Sequence, residues 1–381
     1  MKINVCNRNS FRVCCRFLVL IVIALGVSPL AAQAFQKWVV VKRIFPHGRS
    51  AGPLVSVKAP ILEAVTFIDS TNGWAAGDNI ILRTTNGGRR WEEITLTFPV
   101  NLRDIFFQNK FRGWAVGDSQ GRGIVLSTDD GGINWRTQSK IEFFSLSGIH
   151  GVWFVDENRG WAVGEVQQNG SVNGVILATE NGGQDWRLQY SCAGICTSLN
   201  AIKFTDLNRG WAVGGNLILH TEDGGKLWIA QPAQGSDLFD VDFVSVTEGW
   251  VAGGKGLLLH TRDGGKQWHK RQLPAKYRAL WLSSVRFVDA LNGWVAGDNG
   301  AVFSTHDGGV SWGLETFGSS PFLRELAVTS RAVFAVGNNG LILRRASSFP
   351  VRTAEHRTAE YRALAFKFKR KNHQHCKQPQ D

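Results

Sequence analysis

Six copies of one eight-residue pattern constrain this chain more than any other feature. They read TTNGGRRW from Thr84, TDDGGINW from Thr128, TENGGQDW from Thr179, TEDGGKLW from Thr221, TRDGGKQW from Thr261 and THDGGVSW from Thr305. The shared pattern is Thr-x-Asp/Asn-Gly-Gly-x-x-Trp, and successive copies start 40 to 51 residues apart. Self-similarity at such a period marks a solenoid or a propeller, in which each unit buries its apolar face against the next. Each copy has the chemistry of a tight turn between two strands. The glycine pair permits positive φ, and the side-chain oxygen of Asn86, Asp130, Asn181, Asp223, Asp263 or Asp307 is placed to accept from turn amides.

A second signature stands upstream of each box. Gly-Trp followed by small residues and Gly recurs at Trp74, Trp114, Trp161, Trp211, Trp250 and Trp294, and Phe334 takes the Trp place in a seventh unit. Short β-branched and aromatic runs flank each signature, bounded by Gly and Asn turns, which is the pattern of antiparallel strands. Four strands in about 40 residues is the make-up of a propeller blade. The expected fold is therefore all-β, a seven-bladed propeller of four-stranded antiparallel blades. Its seventh unit, from Leu323 to about Arg345, stops where its box should begin. The segment around Trp38 matches the register of Trp91 to Ile94, so the N-terminal strand is expected beside Leu341 to Arg344, completing the last blade. Closure of this kind leaves no open sheet edge. Of the 15 tryptophans this arrangement places all but Trp153 and Trp281, and Trp281 stands near the connection into the sixth blade as a candidate contact residue.

The ends of the chain differ from its body. Lys2, Arg8, Arg12 and Arg16 precede an apolar run from Phe17 to Val27 and then Ala32-Gln33-Ala34, which reads as a cleavable export signal over residues 1–34. The propeller is assigned to 35–345 and a basic, disordered tail to 346–381. Of the formal net charge of +12, the signal carries +4 and residues 344–381 carry +7, leaving a nearly neutral body. That partition excludes nucleic acid as a partner for the body and leaves the tail as a contact for an anionic membrane surface. Cys192 and Cys196 bracket a three-residue loop suited to a disulfide in an oxidising compartment, with two free thiols as the alternative. The thiols and histidines show no metal-site spacing, and no cofactor motif is present.

Topology sorts the loops onto two faces. The turn between the first and second strands of a blade shares a face with the box. The opposite face carries the second-to-third turns and the blade-to-blade crossovers, and the insertions at 119–123, 136–148, 165–174, 187–198 and 269–281 fall there. On the box face Arg112, Arg159 and Arg209 hold one position in three consecutive blades, so they are expected to form an arc of guanidinium groups suited to carboxylates.

The repeated box resembles the Asp-box, or bacterial neuraminidase repeat, which raises glycoside hydrolysis. Sialidases of that group use a Tyr nucleophile, and this chain has three tyrosines, Tyr190, Tyr277 and Tyr361. The combined pattern of NRGWAVG at 158–164 and 208–214, followed by LHTEDGGKLW, is similar to the photosystem II stability and assembly factor family over residues 36–345. That resemblance implies an exported, seven-bladed, non-enzymatic propeller that binds an early membrane-complex intermediate, with an arginine-rich patch helping. Related propellers also occur in exported proteins of non-photosynthetic bacteria. The resulting expectation is a monomeric, non-catalytic protein-binding scaffold in the periplasm or thylakoid lumen that serves a membrane-complex subunit. The alternative is an Asp-box glycan-binding or glycoside-hydrolysing protein.

Overall fold

The computed structural model describes residues 38–44 and 59–347, apart from 139, 142–145, 169, 193, 195–197, 234–235 and 317–320. The signal segment, the tail and Cys196 lie outside the described residues. Seven antiparallel sheets follow one another. Blade 1 comprises Leu62–Phe67, Gly73–Gly77, Ile80–Thr84 and Glu92–Thr95. The first strands of the other blades are Asn101–Phe107, Leu146–Phe154, Ala201–Phe204, Leu238–Phe243, Leu282–Phe287 and Leu323–Val328. These first strands contact one another in a closed circuit, the seventh meeting the first. They form the inner wall of the propeller.

The ring closes through the N-terminal strand. Val39–Arg43 pairs antiparallel with Leu341–Ala346, with Val39 opposite Arg344 and Arg43 opposite Leu341. Blade 3 departs from the four-strand pattern. Its outer strand Asp185–Ser191 gains a parallel two-residue neighbour, Lys140–Ile141, from the crossover out of blade 2. The insertion expected at 165–174 is a long hairpin in which Gly160–Gln168 pairs with Ser171–Thr179 throughout. The side chains there alternate as the pleat requires.

Aromatic triads join the blades. Trp74, Trp114, Trp161, Trp211 and Trp250 each stack face to face on a phenylalanine of the following blade, Phe107, Phe154, Phe204, Phe243 and Phe287, at 3.5–3.7 Å. The box tryptophan of that following blade then meets the same phenylalanine edge-on at 5.9–6.0 Å. Stacked and edge-to-face pairs satisfy the ring quadrupole, contributing about 0.5–1.5 kcal/mol each beyond burial. These phenylalanines also explain the Gly before each inner tryptophan. Phe67 lies opposite Gly73, and a Cβ on Gly73 would sit 2.5 Å from its ring. The ring covers the bare backbone of its cross-strand partner, so only glycine fits.

Blade 7 is the exception that the closing strand repairs. It has Val328 where the others have phenylalanine, and it has no box. Trp38 packs there beside Trp294 and Val328. One carboxylate ties the joint. Glu315 of blade 6 accepts from Trp38 Nε1 at 2.7 Å and from Trp294 Nε1 at 3.3 Å, and it pairs with Arg345 at 2.9 Å.

Candidate functional site

The six boxes share one geometry. The Thr hydroxyl donates to the Asp or Asn Oδ1 at 2.8–3.1 Å and accepts from the second Gly N–H at 2.8–3.0 Å. The same Oδ1 accepts from the amide four residues on, as Leu227 N–H does to Asp223 at 3.0 Å. Both glycines have positive φ, between 72° and 87°. The first Gly N–H donates to a carbonyl of the first-to-second turn, for example Gly224 to Asn208 at 2.9 Å, which seats box and turn on one face. Trp74, Trp114 and Trp211 donate to the first-Gly carbonyl of the next blade's box, Gly131, Gly182 and Gly264. Burial is the largest single influence on Asp130 and opposes its ionisation, but hydrogen bonds from Asn134, Thr128 and Ile133 together outweigh it and hold the carboxyl at about 2. For Asp223 and Asp263 the amide of the residue four on is the main cause of a lowered pKa. The boxes are turns that fasten neighbouring blades, with the Oδ1 of each Asp or Asn engaged internally.

The inner strands enclose a cavity of about 310 Å³ lined by residues from all seven blades. Asp104, Asp240 and Glu325 line it in one layer, and they share with the fully buried Ser284 a position just past a bulge in each strand. These groups reach across to the next blade. Val152 N–H donates to Asp104 at 2.8 Å, Val285 N–H to Asp240 at 2.9 Å and Val65 N–H to Glu325 at 2.7 Å, while Leu326 N–H donates to the Ser284 hydroxyl at 3.2 Å. Arg286 bridges Asp240 at 2.7 Å and Glu325 at 2.5 Å. Burial pushes the Asp104 carboxyl up to about 6 and that of Glu325 up to about 8, with the Arg286 charge opposing both. Arg286 itself loses hydration on burial, yet Asp240 and Glu325 raise its pKa and keep it protonated. In the adjoining layer Lys203 pairs with Asp242 at 3.0 Å and lies 4.0 Å from the Trp153 ring centroid. Trp153 thus belongs to the cavity wall.

Sequence reasoning missed these central acids. Their signal was present: an acidic residue opens the otherwise apolar runs DIFFQN, DVDFVS and ELAVTS. Among the described residues no three His, Cys, Asp or Glu side chains group as metal ligands.

Arg112, Arg159 and Arg209 each stand just before the second strand of their blade, and their charge is partly spent. Arg159 is paired with Asp156 at 2.5 Å and Arg209 with Asp206 at 3.3 Å, each within its own turn. Arg112 lies over Trp114, 5.4 Å from the ring centroid, and against Gly182 of the next box. Trp281 is on the opposite face, 44% exposed and stacked on Phe239 at 5.4 Å. Cys192 is fully buried and held in a disulfide.

With this geometry in place, known proteins can be compared. The profile of the family described as Photosynthesis system II assembly factor YCF48 matches residues 54–141 and 232–320. The chain is a seven-bladed propeller that resembles this family over those two stretches. A structure of YCF48 bound to D1 peptide superposes with a TM-score of 0.62 at 21% identity, covering 82% of this chain and 98% of that one. YCF48 from Cyanidioschyzon merolae gives 0.59 at 19% identity, covering 81% and 98%. The Niastella koreensis GH74 enzyme also gives 0.59, at 14% identity, covering 75% of this chain and 52% of that one. A comparison with curated proteins finds no match. The two matched stretches take in blades 1–2 and 5–6, and the same boxes and triads run through blades 3 and 4 between them.

Proposed function

We propose that this chain is a non-catalytic scaffold that binds a segment of a membrane-complex subunit during assembly, photosystem II where the source builds one. The observation that carries the reading is the pairing of a two-part family match with a fold shared with a peptide-bound YCF48. Asp104, Asp240, Asp242 and Glu325 of the cavity support it, because each accepts from a backbone amide of a neighbouring blade. Glycoside hydrolysis instead needs an acid pair about 5–10 Å apart around open substrate space. We infer export from the basic and apolar signal pattern of residues 1–34, which places the propeller where a lumenal or periplasmic segment is accessible.

Affinity capture with the full mature chain from detergent-solubilised source membranes tests the proposal. A core subunit of a membrane complex is the expected partner. Hydrolysis on a polysaccharide panel, with no membrane protein recovered, would overturn it. That outcome would favour the glycoside-hydrolase alternative, for which the likeness to the GH74 enzyme is the supporting observation.

A further inference from the structure

The crossover from blade 5 to blade 6 carries basic residues and an exposed aromatic on a rigid support. Between Lys266 and Trp281 the sequence contains no acidic residue. Leu273 and Tyr277 anchor the connection by burial, and Tyr277 meets Phe303 edge-on at 5.0 Å. Gly256 N–H donates to the Leu280 carbonyl at 2.5 Å, and a Cβ on Gly256 would fall 2.5 Å from the Arg278 carbonyl oxygen. The turn bearing Lys255 therefore lies directly against the connection.

Lys255, Lys276 and Arg278 are exposed from this anchored segment. They enter no ion pair among the described residues. Trp281 is held at both backbone groups by Asp298: its N–H donates to Oδ2 at 2.8 Å, and its carbonyl accepts from the Asp298 amide at 3.0 Å. The ring it stacks on, Phe239, lines the central cavity, so the platform leads into the mouth of the propeller. An exposed tryptophan on fixed backbone loses little freedom on binding, which is the make-up of an interface anchor.

We propose that this platform docks an extended acidic segment of the protein partner. An aromatic or prolyl side chain of the segment lies on Trp281, and its carboxylates meet Lys255, Lys276 and Arg278. The proposal rests on the scaffold reading and goes beyond it by naming the face and the chemistry. Arg278 donates to the Leu273 carbonyl at 3.1 Å and Lys276 lies 4.7 Å from the Tyr277 ring centroid, so both are held in place. With Lys255 they offer three charges that no carboxylate pairs with among the described residues, which supplies the charge complementarity. An exposed ring at a concave mouth suits a peptide, whereas a bilayer surface is met by several apolar side chains together.

Fluorescence anisotropy with labelled Asp/Glu-rich peptides containing Tyr and Pro tests it, with Asn/Gln versions of the same peptides as controls. The acidic peptides should bind, and binding should weaken as salt rises. Trp281→Ala should weaken binding about tenfold and Trp281→Phe should restore much of it. The pair Lys255→Glu and Arg278→Glu should abolish it, while Glu at Arg112, Arg159 and Arg209 should leave it unchanged. Unaltered melting temperatures establish that the variants fold. Peptide binding that survives both platform changes overturns the proposal. So does platform-dependent binding to phosphatidylglycerol vesicles with no peptide binding. Capture of a membrane subunit that persists in the platform variants removes the platform and leaves the scaffold reading standing. Peptide binding at the platform with no subunit captured does the reverse.

Discussion

At the scale of single residues, the box threonine matters more to folding than the acidic residue that gives the box its name. Thr221 Oγ1 accepts from the buried Gly225 N–H at 2.8 Å. Thr221→Val should cost about 1–3 kcal/mol, the penalty for a buried amide left without an acceptor. Asp223→Asn should stay within about 0.5 kcal/mol, because the oxygen survives. Asn86 and Asn181 already do the same work in blades 1 and 3, accepting at 3.1 and 3.0 Å from Thr84 and Thr179. Urea-unfolding midpoints of the two variants check both expectations. Equal losses would mean that the carboxylate charge, and not its acceptor geometry, holds the turn.

At the scale of elements, the closing strand is the joint to test. Glu315 gathers two indole N–H groups and a guanidinium whose side chain is 13% exposed. Glu315→Ala would remove the acceptor of the Trp38 indole and the counter-charge of Arg345, and breaking such a buried pair costs about 3–5 kcal/mol. The expected readout is a lower melting temperature together with protease cleavage near Val39–Arg43 under native conditions. Loss of that strand would also bare the edge of Leu341–Ala346 and promote self-association, visible by size-exclusion chromatography. A melting temperature unchanged by Glu315→Ala would show that backbone pairing alone closes the ring.

At the scale of the whole molecule, the central carboxyls and the boxes impose opposite pH dependences. Asp104 and Glu325 have folded-state pKa values of about 6 and about 8, above their ordinary 3.8 and 4.5. The folded protein therefore binds more protons than the unfolded chain across those windows, so their contribution falls as pH rises from about 4 towards 8. The box carboxyls run the other way. With Asp130 held at about 2, below its ordinary 3.8, its stabilisation is present above pH 3.8 and is lost as pH falls towards 2. Stability should therefore peak on the acidic side of neutrality. Asp104→Asn should flatten the decline between about pH 4 and 6, as measured by urea midpoints across pH, and an unchanged profile would show that Asp104 is ionised in the folded state.

The sequence by itself determined the architecture, because the architecture is periodic. A turn that needs two glycines at positive φ, and a glycine that must sit beneath a phenylalanine, leave marks at every repeat, and these marks count the blades. The missing seventh box and the spare Trp38 made even the closure legible. The site was less so. Arg112, Arg159 and Arg209 could be aligned from spacing, but Asp156 and Asp206 neutralise two of them through local geometry that spacing does not encode. Asp104, Asp240, Glu325 and Arg286 lie up to 221 residues apart and meet because the ring brings the first strands together. The platform of Lys255, Arg278 and Trp281 likewise depends on a hairpin in one blade touching a crossover into the next. Repeated local contacts are written in every unit, whereas charges that meet across the ring are written once each. Only tertiary structure decides which of those charges are paired and which are left for a partner.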